Sequence, residues 1–118
     1  MKEKIEQLKL SLNNENLLSY EEGEHYYIVS ENDTDTFILI QKANNDVIIW
    51  SYETKYTDLT RLIDLIETCF MCTVIFPFVD SKELECILKE KAYVLIDFQD
   101  DDVDEDEKKY PSYMKVGA

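Results

Sequence analysis

Ile5, Leu8 and Leu12 recur at helical spacing among charged residues, so the pattern predicts an amphipathic helix from residue 2 to about residue 13, ending near Asn13-Asn14. Three strand-like runs follow, His25–Ser30, Thr36–Gln41 and Asp46–Ser51, rich in Tyr, Ile, Val, Phe and Trp. They are separated by the polar stretches Glu31–Asp35 and Lys42–Asn45, whose Asn and Asp residues suit tight hairpin connections. The expected product is an antiparallel meander. From Thr57 the period changes, because Leu59, Leu62, Ile63, Ile66 and Phe70 fall on one helical face. Thr57 is placed to cap that helix, with Asp58 at its positive end. Cys72–Phe78 then reads as a strand. Asp80 and Glu83 resemble a capping box for a helix carrying Leu84, Ile87 and Leu88, and Tyr93–Phe98 reads as a last strand.

Two of these passages are strand-helix-strand crossovers, which are right-handed almost always when they join parallel strands. The runs Phe37–Ile40, Val47–Trp50 and Val74–Phe76 are continuously apolar rather than alternating, which implies a sheet covered on both faces. The expectation is therefore an α+β fold. It comprises one domain over residues 1–98, a five-stranded mixed sheet with helices on both faces, and an acidic C-terminal tail over residues 99–118. No internal repeat and no Pro-, Gly- or Ser-rich linker interrupts it.

Charge changes the picture most. The chain has 26 Asp and Glu against 12 Lys and Arg in 118 residues, a formal net charge of -14. The excess is shared: residues 1–96 hold 18 acids and 9 bases, and residues 97–118 hold 8 acids and 3 bases. Such a surface repels DNA, RNA and anionic membrane, and attracts basic protein surfaces over roughly 8 Å, the Debye length at physiological salt. The first residues alternate Lys and Glu with apolar residues, unlike a signal peptide, and the longest apolar run, Val74–Val79, is too short to span a bilayer. With three cysteines, an odd number, the chain reads as cytoplasmic with reduced thiols.

From His25 to Phe98 the element order resembles the core of the GNAT N-acetyltransferases: antiparallel meander, helix, strand, helix, strand. Locally, Leu88-Lys89-Glu90-Lys91-Ala92-Tyr93-Val94-Leu95-Ile96 is similar to that family's segment where a helix ends in a Tyr-containing turn before the last strand. The resemblance implies acetyl-CoA bound by a Gly-rich loop before the first crossover helix, and a Tyr acting as general acid. Here that loop is Tyr52-Glu53-Thr54-Lys55-Tyr56, without glycine, and the Tyr aligns with Leu88, which has no proton to give. Side chains in the loop hinder close approach of phosphate, and Glu53 repels it. The implied activity is then lost, and no cofactor is expected.

Other candidate chemistry is thin. Cys69-Phe70-Met71-Cys72 has redox or zinc spacing. Cys69, however, lies near a helix C-terminus, where the dipole opposes a thiolate, and only Cys86 and His25 remain as further ligands. His25 lacks the partners of a hydrolase. Asp100, Asp102, Asp104 and Asp106 alternate like a calcium loop, but Glu105 stands where the turn glycine belongs and Pro111 where the bidentate Glu belongs. No catalytic residue and no metal site is expected.

What remains is the acid run itself. Asp97, Asp100, Asp101, Asp102, Asp104, Glu105, Asp106 and Glu107 form an anionic surface imitating nucleic-acid phosphates, with Tyr110 and Tyr113 as anchors to the body or a partner. These residues define the expected partner-binding site. The expected function is a small acidic protein inhibitor, a DNA mimic of the phage anti-defence or immunity-protein type. It would occupy a basic, nucleic-acid-binding site on another protein without contacting nucleic acid or membrane. The alternative is a degenerate GNAT-like acetyltransferase.

Overall fold

The computed structural model describes residues 1–12, 16–31, 35–55, 57–100 and 102–117. Its elements run α1 (Lys2–Ser11), β1 (Leu17–Glu22), β2 (His25–Ser30), β3 (Thr36–Ala43), β4 (Asp46–Thr54), α2 (Leu59–Phe70), β5 (Thr73–Phe76), α3 (Lys82–Glu90), β6 (Val94–Ile96) and β7 (Ser112–Lys115). The strands form one sheet in the order β1-β2-β3-β4-β5-β7-β6. Every neighbouring pair is antiparallel except β4 and β5, which run parallel through Asp46↔Thr73, Val47↔Val74 and Ile48↔Ile75. The α+β class stands, but the sheet has seven strands rather than five. The helix end at Asn13-Asn14 and the middle of the Glu31–Asp35 connector lie outside the described residues.

Both additional strands hold where local sequence is weak. β1 is an edge strand joined to β2 by a hairpin in which Gly23 takes φ +63°, a conformation that disfavours any side chain. It is pinned beneath α1 through Glu6, which accepts from the Ser19 hydroxyl and pairs with Lys9 at 2.8 Å. β7 comes from the stretch expected to be an acidic C-terminal tail. Instead it is inserted between β5 and β6, pairing Phe76↔Tyr113 on one side and Leu95↔Tyr113 on the other. Its first residue, Ser112, is 3% exposed and accepts from the Phe78 N–H at 2.9 Å, while Val79 N–H donates to the Pro111 carbonyl at 2.7 Å. A strand bonded on both edges has far more holding it than its four residues suggest.

The helices follow their apolar periods. In α2, Leu62, Ile63, Ile66, Cys69 and Phe70 are buried, and each large side chain so placed stabilises by roughly 1.5–3 kcal/mol. The cap is Asp58, which accepts from Arg61 N–H at 2.8 Å, one residue beyond the expected Thr57. In α3 the cap is Ser81, accepting from Leu84 N–H at 3.2 Å, rather than Asp80. Both shifts move the cap to the residue that directly precedes the first helical turn.

The largest departure concerns the faces of the sheet. Leu8 of α1, Ile66 of α2 and Leu88 of α3 all belong to one buried cluster with Ile28, Ile38, Ile40, Val47, Ile49, Val74 and Phe76. These strand residues alternate onto a single face, so the helices share that face instead of flanking the sheet. Handedness explains it. The β4-to-β5 and β5-to-β6 crossovers advance the same way along the sheet, and two right-handed connections advancing together lay their helices on the same side. α1 packs beside α2, its Lys4 ammonium donating to the Phe70 carbonyl at 2.8 Å. Ile48 and Ile75, buried on the opposite face, lie outside the cluster.

Because β7 is an interior strand, truncation after Tyr110 should abolish cooperative denaturant unfolding, whereas a dispensable tail would leave the midpoint unchanged. Ser112→Ala, which strands the Phe78 N–H, should cost about 1–3 kcal/mol in the same measurement.

Candidate functional site

The acid run is the connector between β6 and β7, and its ends meet, because Ile96 and Ser112 are cross-strand partners. Within it the Asp102 N–H donates to Asp100 Oδ1 at 2.9 Å, and Glu107 and Lys108 N–H donate to the Asp104 carbonyl at 3.0 and 3.2 Å. A short 3-10 turn, Glu107–Lys109, then leads towards β7. Asp97, Asp102, Asp104, Glu105, Asp106 and Glu107 are exposed, Asp100 is half-buried, and Asp101 lies outside the described residues. The two bases in the connector touch it lightly: Lys108 reaches Glu105 at 3.6 Å and Lys109 reaches Asp106 at 3.1 Å, with both acid side chains 91% exposed. Such exposed pairs are worth little, so the carboxylates remain available.

The two tyrosines divide. Tyr110 is 46% exposed beside the acids. Tyr113 is 4% exposed, packs in the main core, and donates its hydroxyl to Glu85 of α3 at 3.0 Å. Burial, first, and the Glu85 carboxylate push its phenol up from the ordinary range. Its contacts are therefore internal, contrary to its placement in the partner-binding set.

Beneath the connector lies an aromatic support that sequence reasoning did not assign. Phe98 meets Trp50 edge-on at 5.7 Å and Phe78 at 5.6 Å. Trp50 is the extra residue where the β3–β4 register shifts between Leu39 and Ile40, and its indole donates to Gln41 Oε1 at 2.7 Å. The available signal was Phe98 itself, an apolar residue set against the acid run. Edge-to-face contacts of this kind add about 0.5–1.5 kcal/mol each beyond area burial.

At the position the resemblance assigns to a cofactor, the pairing of β4 with β5 ends at Ile48↔Ile75 while β4 continues to Thr54, so the strands diverge. The opening holds a cavity of about 70 Å³ walled by Trp50, Tyr52, Phe76 and Phe78. The N-terminus of α2 is already occupied by the Asp58 carboxylate. A pyrophosphate placed there would meet that charge, so these residues do not fit the family's cofactor. Leu88 is fully buried in the core. Thr57 Oγ1 is buried without a hydrogen-bond partner among the described residues, and Tyr56 lies outside them. Tyr52 is half-buried beside the opening. Its phenol is pushed up to about 12, first by burial and then by Asp80 and Glu83.

Cys69 is 6% exposed, Cys72 is half-buried, and burial raises both thiols, while Cys86 is exposed. His25 sits opposite Glu22 and Gln41 in the sheet. Among the described residues no cluster of three or more His, Cys, Asp or Glu could hold a metal ion, and no helix is long and apolar enough to cross a membrane. A cavity of about 330 Å³ lies at the other end of β5. There Glu67 accepts from the Tyr93 hydroxyl at 3.2 Å and pairs with Lys115 at 3.3 Å, so its polar groups satisfy one another.

No protein-family model matches the chain, and no curated protein matches it in sequence. An acetyltransferase from Streptococcus agalactiae 2603 is similar at 11% identity and a TM-score of 0.48, over 78% of this chain and 65% of that one. The chain thus spans just under two thirds of that protein. A Bacillus subtilis acetyltransferase in complex with CoA is similar at 14% identity and a TM-score of 0.46, over 98% of this chain and 92% of that one.

Two predictions follow from these environments. A phenol raised in the fold favours the neutral form, so its contribution is complete below the unfolded value near 10 and is lost as pH rises towards about 12. Wild-type stability should therefore fall between about pH 9.5 and 11.5 more steeply than that of Tyr52→Phe, by up to roughly 2 kcal/mol after allowance for partial exposure. Maleimide at neutral pH should label Cys86 rapidly and half-buried Cys72 more slowly, with Cys69 reacting only on unfolding. Prompt modification of Cys69 would contradict its burial.

Proposed function

We propose that this protein is a small, acidic, non-catalytic binding protein that occupies a basic, nucleic-acid-binding site on a partner protein, as an inhibitor or immunity protein. The observation that carries the reading is the connector from Asp97 to Pro111: a dense run of exposed carboxylates whose two ends are tied together by strand pairing. A free acidic tail would lose conformational freedom on binding. A connector closed at both ends has already lost part of it, so more of its Coulombic attraction appears as affinity. The Phe98–Trp50–Phe78 contact supports the same reading by seating the connector's first turn on the sheet.

The mismatch at the β4–α2 loop favours binding over acyl transfer. Asp58 at the helix N-terminus and Glu53 in the loop place negative charge where a nucleotide cofactor needs positive potential. Titration calorimetry with acetyl-CoA should give no binding heat, and micromolar binding would restore the enzyme reading.

Binding to a purified basic nucleic-acid-binding partner should weaken about tenfold or more between roughly 50 and 300 mM salt, as expected for charge-steered contact. Asp100→Asn, Asp102→Asn, Asp104→Asn and Asp106→Asn combined should weaken it comparably while leaving the circular dichroism spectrum unchanged. Absence of any basic partner at low salt, together with no effect of the four substitutions, would overturn the proposal.

A further inference from the structure

The sheet face turned away from the helices carries its own pattern. Cross-strand pairing lays out two apolar rows across β1, β2 and β3: Leu18, Val29 and Phe37 in one, and Tyr20, Tyr27 and Leu39 in the other. Leu18 is 47% and Tyr20 51% exposed, and the other four are half-buried. Tyr20 and Tyr27 stack at 4.7 Å with their planes 10° apart, and Phe37 meets Tyr27 edge-on at 6.2 Å. The aromatic surface is thus held in place by its own neighbours. The helices are committed to the opposite face, and the connector's Phe98 reaches only as far as Trp50 of β4.

Within the described strands, charge on this face has one sign, and Lys55, just past β4, is paired with Asp35. Alternation places Glu22, beyond the second row, and Glu53, beside Phe37, on the same side as the apolar residues. The lysines of the described strands go the other way. Lys42 pairs opposite Val47 of the helix-side core, and Lys115 bonds Glu67 of α2. No Lys or Arg of a described strand therefore faces the patch. A second copy of this chain would bring its own acids against Glu22 and Glu53, and nucleic acid would be repelled likewise. A cationic partner with an apolar stripe is complementary on both counts.

We infer that this face docks a short cationic amphipathic helix of the partner protein, a deepening that rests on the basic-partner reading above. Two rows across three strands, with Glu53 on β4 beside them, span about 15 by 13 Å, which suits roughly three turns of helix. The helix's apolar stripe covers Leu18, Tyr20 and Tyr27, and its flanking Lys and Arg meet Glu22 and Glu53 and lie close enough to the tyrosine rings for cation–π contact.

The probe is a synthetic helical peptide of about fourteen Leu and Lys residues with the two segregated on opposite faces. Its control is a scrambled peptide of equal composition and charge, both titrated by calorimetry at physiological salt. The segregated peptide should bind at least about tenfold more tightly, and the double substitution Leu18→Ser with Tyr20→Ser, at exposed positions, should abolish that preference with circular dichroism unchanged. The connector variant Asp100→Asn, Asp102→Asn, Asp104→Asn, Asp106→Asn should weaken both peptides yet keep the preference between them. Equal binding of the two peptides, or a preference indifferent to the double substitution, overturns the docking face while leaving the acidic-binder reading standing. No binding of either peptide overturns both. Sedimentation showing a wild-type dimer that the double substitution dissociates assigns the face to a second copy and overturns the inference.

Discussion

Two crossovers that step the same way along a sheet lay right-handed helices on the same side, and nearly everything else in this molecule follows from that constraint. α2 and α3 share one face because β4, β5 and β6 advance in one direction, and α1 joins them through α2. The core then becomes one-sided. Ile28, Ile38, Val47 and Phe76 are buried under helices, while their alternating neighbours must be covered by something else. On the β4–β5 half that cover is Trp50, Phe78, Phe98 and the start of the acidic connector. On the β1–β3 half, among the described residues, it is the mutual contact of Tyr20, Tyr27 and Phe37. Charge is segregated to match, since the strand lysines sit with the helices and Glu22 and Glu53 sit on the open face.

Much of this order was legible in the chain, and the failures have definite causes. β2 occupies the predicted residues, His25–Ser30, because its aromatic and branched side chains are bounded by turn residues on both sides. α2 was legible from its apolar period alone. β1 was not, since an edge strand with polar Ser19, Glu21 and Glu22 buries too little to mark itself. β7 was hidden for another reason: Ser112–Lys115 lies behind a run of acids, and its stability comes from β5 and β6, which are remote in sequence. Inferring cover on both faces from the continuous apolar runs was sound about burial and wrong about its source. Ile48 and Ile75 are buried, but on the face that the helices do not occupy. The handedness rule was available from the sequence. What was missing was the position of β7, without which the direction of the second crossover is undetermined.

The acid-rich composition raises a question of stability, because like charges within a Debye length repel and a compact chain of net charge -14 carries that cost. The fold places the densest run where repulsion does least harm. A connector can extend without breaking the sheet, provided its ends are held, and Ile96↔Ser112 with the Val79–Pro111 bond holds them. Elsewhere carboxylates are drawn into specific contacts: Glu6 with Lys9 and Ser19, Glu67 with Lys115 and Tyr93, and Asp64 with Lys91. Acids in the body thus join elements together, whereas those of the connector have few competing partners. For the candidate site this makes a difference. A carboxylate already satisfied internally gains little from a partner's lysine, while one held only by a weak exposed pair, as Glu105 and Asp106 are, has more left to gain when an interface excludes water.

The diverging strands β4 and β5 offer a final comparison. An opening beside a parallel pair, followed by a helix N-terminus, is a natural place for an anion, since the terminus carries roughly half a positive charge. In this chain both attractions are used internally. Asp58 places a carboxylate on the terminus of α2, Trp50 and Phe78 wall a cavity of about 70 Å³ in the gap, and a second of about 250 Å³ beside it is lined by Tyr52, Glu53, Thr57 and Leu59. Trp50 and Phe78, which wall the smaller cavity, also seat the start of the acidic connector through Phe98. Glycine is absent from the β4–α2 loop, so side chains stand at every position where a phosphate would need close approach to backbone N–H groups.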